Sequence, residues 1–341
     1  MPIRFLSDRV EAGALAPEGP ERWTRAVEVR VDPLLGTTSR IAEGVRLQTT
    51  QGGARARLPG ADASCPFCGD RIERATPRID PRLSDEPRIA VGETVLFPNL
   101  VPYSRYAAVA VFTREHWLEL DGFTAGCIAD NLSACLRYVR TVRAAAADAA
   151  FAAWNVNYLY PSGGSLPHPH AQVFLDPWPT TRMRLEQDAA ERYLGEHGTC
   201  FWEDLADAER ERDERFLWDA GATSWMTAFA PMGFNEVRAV VRNRETLLDV
   251  TEAEVDALAT GMARVLGWYA RRGYDSFNAS LVSGPLGGGA AHRVHLTMVT
   301  RSALAPYYRS DAMYLERLHW EAAVDQAPEE LASEARAHGE R

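Results

Sequence analysis

Apolar residues along the 341-residue chain gather into two kinds of run. Short blocks rich in β-branched and aromatic residues, "AVEVRV" (26–31), "YAAVAVF" (106–112), "FAAWNVNYLY" (151–160) and "HAQVFLDP" (170–177), predict strands. Longer blocks over 121–150, with an alanine tract, and over the charge-rich 181–217 predict helices, the second mostly a solvated face. Residues 1–60 are rich in Gly, Pro and Arg and predict a surface wrap with one or two short strands.

The pattern recurs. "RYAAVAVFTREHWLEL" (105–120) lines up without a gap on "NEVRAVVRNRETLLDV" (235–250). In both halves a helix, a strand, a Gly-rich turn and a histidine-bearing strand follow, the last pairing "PHPHAQVF" (167–174) with "AHRVHLTMV" (291–299). On this alignment His116 faces Thr246, His170 faces Thr297, and His295 matches His168. The expected fold is α+β: two duplicated halves, 1–180 and 181–341, forming a mostly antiparallel sheet (a half-barrel) with helices packed on it. The chemistry belongs to the first half, and the second completes the sheet as an inert copy.

A composition of 46% hydrophobic and 25% charged residues is that of a globular protein with a large core. No run approaches the roughly 18 apolar residues of a membrane span. The first residues, "MPIRFLSDRVEAG", lack the apolar core of a secretory signal, so a cytoplasmic location is expected. All 37 basic residues are arginine, and lysine is absent. That excludes Schiff-base and P-loop lysines and leaves phosphate recognition to arginine, histidine and backbone N–H groups. A net charge of −10 without a basic stripe argues against a nucleic-acid partner. The 5 cysteines are too few for a disulfide scaffold. Cys127 and Cys135 fall in the first predicted helix as small core residues, and Cys200 stands alone.

The remaining pair, Cys65 and Cys68 in "SCPFCGD", has the spacing of two ligands to one tetrahedral zinc. No second CxxC follows, so His116 and His168 are the candidates to complete a closed Cys2His2 site. A lone CxxC also suits redox chemistry, or none. In "SGGSLPHPHAQVF" (162–174), residues two apart on an extended chain share a face about 6.5–7 Å apart. With His168 on a metal, His170 is positioned without being coordinated, as a nucleophilic imidazole should be. Gly163, Gly164 and Ser165 offer close backbone approach and N–H donors to a phosphate, and Gln172 an amide to a phosphoryl oxygen. The plainer alternative is an HPH loop with no role.

These residues resemble the galactose-1-phosphate uridylyltransferase family, a branch of the histidine-triad superfamily. The resemblance rests on Cys65-Pro-Phe-Cys68, Asn157 ahead of "SGGS", His168-Pro-His170-Ala-Gln172, and "FPNLVPYSRYAAVAVFTREH" ending in His116. It implies two histidine-triad-like halves, one structural zinc, and ping-pong transfer of a nucleoside monophosphate, UMP favoured, through a nucleotidyl-His170. The partners implied are a nucleotide sugar (a UDP-sugar favoured), a sugar phosphate acceptor and a second copy of the chain in a homodimer. Gln172 and Ser165 would attend the transferred phosphoryl group, Asn157 and Asn99 the nucleotide, Arg46 a phosphate, and Glu316 the sugar or acceptor. A phosphorylase acting on an ADP-sugar with inorganic phosphate is the near alternative, and a silent zinc-stapled nucleotide binder the remoter one. Some members hold a second metal with a glutamate and three histidines. Glu186 falls at that glutamate's position, but His295-Leu-Thr297 stands where the family has H-x-H. No second metal is therefore expected, and Glu186 is read as a solvated helix residue.

Overall fold

A computed structural model describes residues 3–15, 22–42, 44, 47, 49, 64–305 and 312–339. Among them, ten strands form one sheet: β4 (Ile89–Val91), β5 (Thr94–Pro98), β6 (Tyr106–Val111), β7 (Phe151–Tyr158), β8 (His170–Asp176), β9 (Phe216–Ala220), β10 (Thr223–Thr227), β11 (Val237–Val241), β12 (Ser276–Val282) and β13 (His295–Arg301). Their spatial order is 4-5-6-8-7-12-13-11-10-9, with every neighbouring pair antiparallel. From either edge to the centre the connectivity is identical, so the duplicated antiparallel sheet expected from the sequence is present. The halves meet at β7 and β12, where Asn155 lies opposite Ser280.

The register revises the alignment of the copies. Asn155 pairs with Gln172 in the first half, and Ser280 with Thr297 in the second. Gln172 therefore corresponds to Thr297, and His170, two residues earlier, to His295. Two further contacts agree. Phe112 N donates to Pro169 O and Val241 N to Val294 O, each just ahead of the histidine. His170 and His295 both direct Nδ1 at the carbonyl two residues back. The sequence pairing of the histidine strands, which set His170 against Thr297 and His295 against His168, is off by two residues, a slip that keeps each side chain on its face.

One face of the sheet is buried under α2 (Ala125–Ala145) and α5 (Glu252–Arg271), which occupy equivalent places in the two halves. Each starts on a threonine that accepts from the N3 amide, Thr124 from Cys127 N and Thr251 from Glu254 N, the latter in a full capping box. Between helices and sheet, Val139 of α2 and Met262 and Val265 of α5 meet Phe112, Trp154 and Trp225, all within 1% exposure. Asn131, fully buried, donates its amide to Ala110 O and accepts from Trp154 Nε1, so both ends of its side chain are satisfied.

The other face is treated differently in each half. Over the second half it is filled by α4 (Phe201–Arg212), whose Phe201, Trp202 and Leu205 pack with Ile3, Met226 and Val240. The Trp202 ring stacks on His295 with centroids 3.9 Å apart. Glu186, on α3 (Thr181–His197), is buried there, with Oε1 2.7 Å from Arg182 Nε and Oε2 3.6 Å from His295 Nε2. It is not a solvated residue: Met183, Glu186, Ala189 and Ala190 form the buried stripe of an otherwise charged helix. The described residues of the N-terminal segment, 3–15 and 22–42, are also more regular than a surface wrap. β1 (Leu6–Leu15), β2 (Arg22–Val31) and β3 (Thr38–Ala42) form a second sheet, closed by parallel pairing of β3 with β14 (Ala322–Val324). Over the first half no long helix like α4 lies on this face among the described residues, where Phe67 and Ile72 cover only Phe97, Val109 and Val111, and the predicted chemistry lies there.

Candidate active site

The segment 64–70 turns tightly, with Cys68 N donating to Cys65 O and Arg71 Nε, on the short helix α1 (Arg71–Ala75), holding the same carbonyl at 2.7 Å. Phe67 N points at Cys65 Sγ (3.4 Å), the outer-shell bond a metal-bound thiolate uses. His116 follows β6, and His168 sits two residues ahead of β8. The four side chains converge. Cys68 Sγ is 3.2 Å from His116 Nδ1 and 3.5 Å from His168 Nδ1, and Cys65 Sγ is 3.7 Å from His168 Nδ1. All four ligand atoms lie within 4.8 Å of one another.

The chemistry of this set fits zinc. Burial pushes the Cys65 thiol up to about 11, with the neighbouring Cys68 adding to it, so a bound cation would be needed to hold Cys65 as a thiolate. Burial drops His168 to about 4, leaving a neutral imidazole. Its Nε2–H donates to Thr113 O at 2.9 Å, which selects the tautomer with a lone pair on Nδ1, facing the thiols.

His170 has the opposite tautomer. Its Nδ1–H donates to His168 O at 2.8 Å, and no described residue bonds Nε2, whose lone pair stays available. Burial lowers its pKa below the ordinary value, so the ring is neutral at pH 7. The Phe67 ring packs edge-on against both imidazoles, with centroids 5.6 Å from His170 and 5.8 Å from His168.

Around His170, Gln172 and Asn155 share the open face of the sheet, and Asn157 continues that row on β7. These three line a cleft of about 540 Å³ with Asn99, Phe174 and Trp178. A larger cleft of about 680 Å³, by Asp32, Tyr193 and His197, contains none of the converging residues and lies away from the chemistry. Asn99 fixes its own loop, accepting from Val101 N at 3.0 Å.

The turn after β7 is built for close approach. Leu159 takes φ 66° and Gly163 φ 87°. A Cβ on Gly164 would stand 2.8 Å from Asn157 O and 2.9 Å from Leu159 O, so no side chain fits there. Asn278 of β12, absent from the sequence reading, reaches across the seam: its Nδ2 donates to Asn157 Oδ1 (2.7 Å) and to Ser162 O (2.9 Å). Ser280 Oγ does the same for Asn155 Oδ1 at 2.8 Å.

No family model matches the chain. An uncharacterized protein of Archaeoglobus fulgidus is 33% identical over 311 residues, which span 91% of this chain and 92% of that one. The two chains belong to one family. Among solved structures, an ADP-glucose phosphorylase from Arabidopsis thaliana with bound ADP-glucose superposes with a TM-score of 0.69 at 18% identity, covering 91% of this chain and 98% of its own. A GalT-like protein from the same plant reaches 0.68 at 16% identity over 90% and 98%, and a uridylyltransferase 0.66 at 20% over 91% and 98%. This is the galactose-1-phosphate uridylyltransferase fold.

Within the uridylyltransferase fold, the predicted residues separate into three groups. Cys65, Cys68, His116 and His168 are one cluster, and His170 lies directly beside it. Gln172, Asn157 and Asn99 share the adjoining cleft. Ser165 and Gly163 are exposed on the turn, away from the cleft lining. Glu316 sits in a short helical turn (Leu315–His319) with its carboxylate 3.8 Å from Arg301 Nη1, outside that lining. Arg46 lies outside the described residues.

Proposed function

We propose that the protein is a nucleotidyltransferase in which His170 carries the nucleotide between two phosphate-bearing partners, UMP being the favoured group. The observation that supports this most directly is the paired tautomers: His168 turned to the cysteines by Thr113 O, and His170 turned by His168 O to leave Nε2 open. A metal held by Cys65, Cys68, His116 and His168 would anchor the strand entry, a structural task.

The step runs as a displacement. The Nε2 lone pair attacks the α-phosphorus of a nucleotide sugar, a P–N bond forms, and the bond to the bridging oxygen breaks. Sugar 1-phosphate departs with that electron pair. A phosphate oxygen of the acceptor then attacks the same phosphorus and the P–N bond breaks, restoring neutral His170. Such leaving groups need no strong acid, so the demands on the site are position and charge stabilisation. Gln172 and Asn157 supply amide donors, and Trp178 and Tyr103, largely exposed at the cleft rim, supply flat faces for base or sugar.

A homodimer belongs to the same reading. Tyr314, Leu318 and Trp320, 67%, 76% and 58% exposed, crowd one segment beside Glu316, and a second copy would cover them.

Intact-mass measurement of zinc-loaded protein mixed with UDP-glucose, ADP-glucose or GDP-mannose tests the proposal. One acid-labile nucleotidyl adduct is expected, its mass naming the nucleotide, and His170→Ala abolishes it. An adduct discharged by inorganic phosphate rather than by sugar phosphates makes the enzyme a phosphorylase. Full turnover by His170→Ala would refute the mechanism.

A further inference from the structure

Asparagine amides present either a carbonyl or an NH2 group to a ligand, and the choice is set by what holds the other end. Asn157 projects from β7 on the open face and lines the cleft. Its Oδ1 is engaged by Asn278 Nδ2. The direction of that bond follows from a third group. Ser162 O can only accept, and it is 2.9 Å from the same Nδ2. Asn278 must therefore turn its NH2 toward the turn and toward Asn157, with one proton for each. Asn157 in consequence offers Oδ1 to Asn278, and no described residue takes its own Nδ2 protons. The Ser280 hydroxyl beside Asn155 carries no such constraint, because it donates or accepts equally well.

We infer that Asn278, a residue of the second half, is a positioning residue that sets the polarity of Asn157, so that the Asn157 NH2 donates to the phosphate at His170. The inference rests on the function proposed above. The second half then contributes to the reaction without touching substrate: its own His295 is covered by the Trp202 ring, yet this half fixes one donor of the working half and pins the turn 160–164 through Ser162. A donor held in place before reaction costs no reorganisation as charge develops.

The test is a double-mutant cycle on adduct formation, using the nucleotide sugar that labels the wild type. Asn278→Asp replaces the NH2 by an acceptor, so Asn157 turns its own NH2 inward and shows the ligand a carbonyl. The single-turnover rate should fall roughly 100-fold, and Asn278→Ala, which frees the amide, should fall less. In an Asn157→Ala background both Asn278 substitutions should cost under about 3-fold more, because interacting sites do not add. Zinc content and melting temperature verify that the variants fold. A merely structural Asn278 would give the same penalty in both backgrounds, and that result, or an Asn278→Asp variant as fast as the wild type, overturns the inference while leaving the proposed function intact. A wild type that forms no adduct with any donor sinks the proposed function and this inference together.

Discussion

Two imidazoles, two residues apart, are set to different work by one hydrogen bond each. His168 gives its Nε2 proton to Thr113 O and turns Nδ1 to sulfur; His170 gives its Nδ1 proton to His168 O and frees Nε2. A change at His116 should therefore be felt in the metal, and one at His170 should not. His116→Ala is expected to weaken zinc binding by more than the about 10–100-fold that outer-shell partners cost, and to lower the melting temperature, whereas His170→Ala keeps one zinc per chain. Metal analysis after dialysis against a mild chelator reads both; equal zinc retention by the two variants would contradict the cluster. The cysteines and the HPH triplet were legible in the sequence because their chemistry depends on spacing along the chain. Asn278 was not, because its meaning comes from a cross-strand neighbour 121 residues away. Glu186 was misread for a related reason: a charged helix still has a buried stripe, and composition does not say which charge falls on it.

At the scale of elements, the repeated order of strands and helices was readable, and register was not. The histidine strands were paired two residues out, and a two-residue slip leaves the same side chains on the same face, so the apolar pattern does not expose it. The N-terminal strands were underestimated because they bury little: every β1 residue whose burial is described is exposed, so no apolar alternation marks the strand. Helix-to-sheet spacing yields a prediction. Gly261 of α5 lets Trp225 of β10 lie close: a Cβ there would stand 2.1 Å from the indole ring. Trp225 is fully buried and cannot swing out. Gly261→Ala should destabilise by about 1–3 kcal/mol, seen as a lower denaturant midpoint with an unchanged slope. A midpoint equal to or above the wild type would mean that the helix simply lifts away.

For the molecule as a whole, one charged knot joins three distant segments. Glu329, on α6 (Pro328–Gly339), takes Arg30 of β2 at 2.8 Å and Arg215, ahead of β9, at 2.7 Å. Burial would raise the Glu329 carboxyl, but the two guanidiniums outweigh it and hold it below its ordinary value. A depressed carboxylate stabilises fully above the unfolded value, near about 4.3, and the contribution drains away as pH falls through the folded one. Glu329→Gln should thus cost about 1.5–3 kcal/mol at pH 7 and progressively less below pH ~4. Thermal melts across that range check it; a gap constant down to pH 3 would disprove the assignment. The seam between β7 and β12 has a further consequence. Because Asn155 and Ser280 face each other where the copies meet, cutting the gene in two would strip a full-length ladder from the middle of the sheet. Each fragment would carry a raw, apolar-backed edge whose natural complement is a strand of its own kind, so the halves are parts of one fabric and not beads on a string.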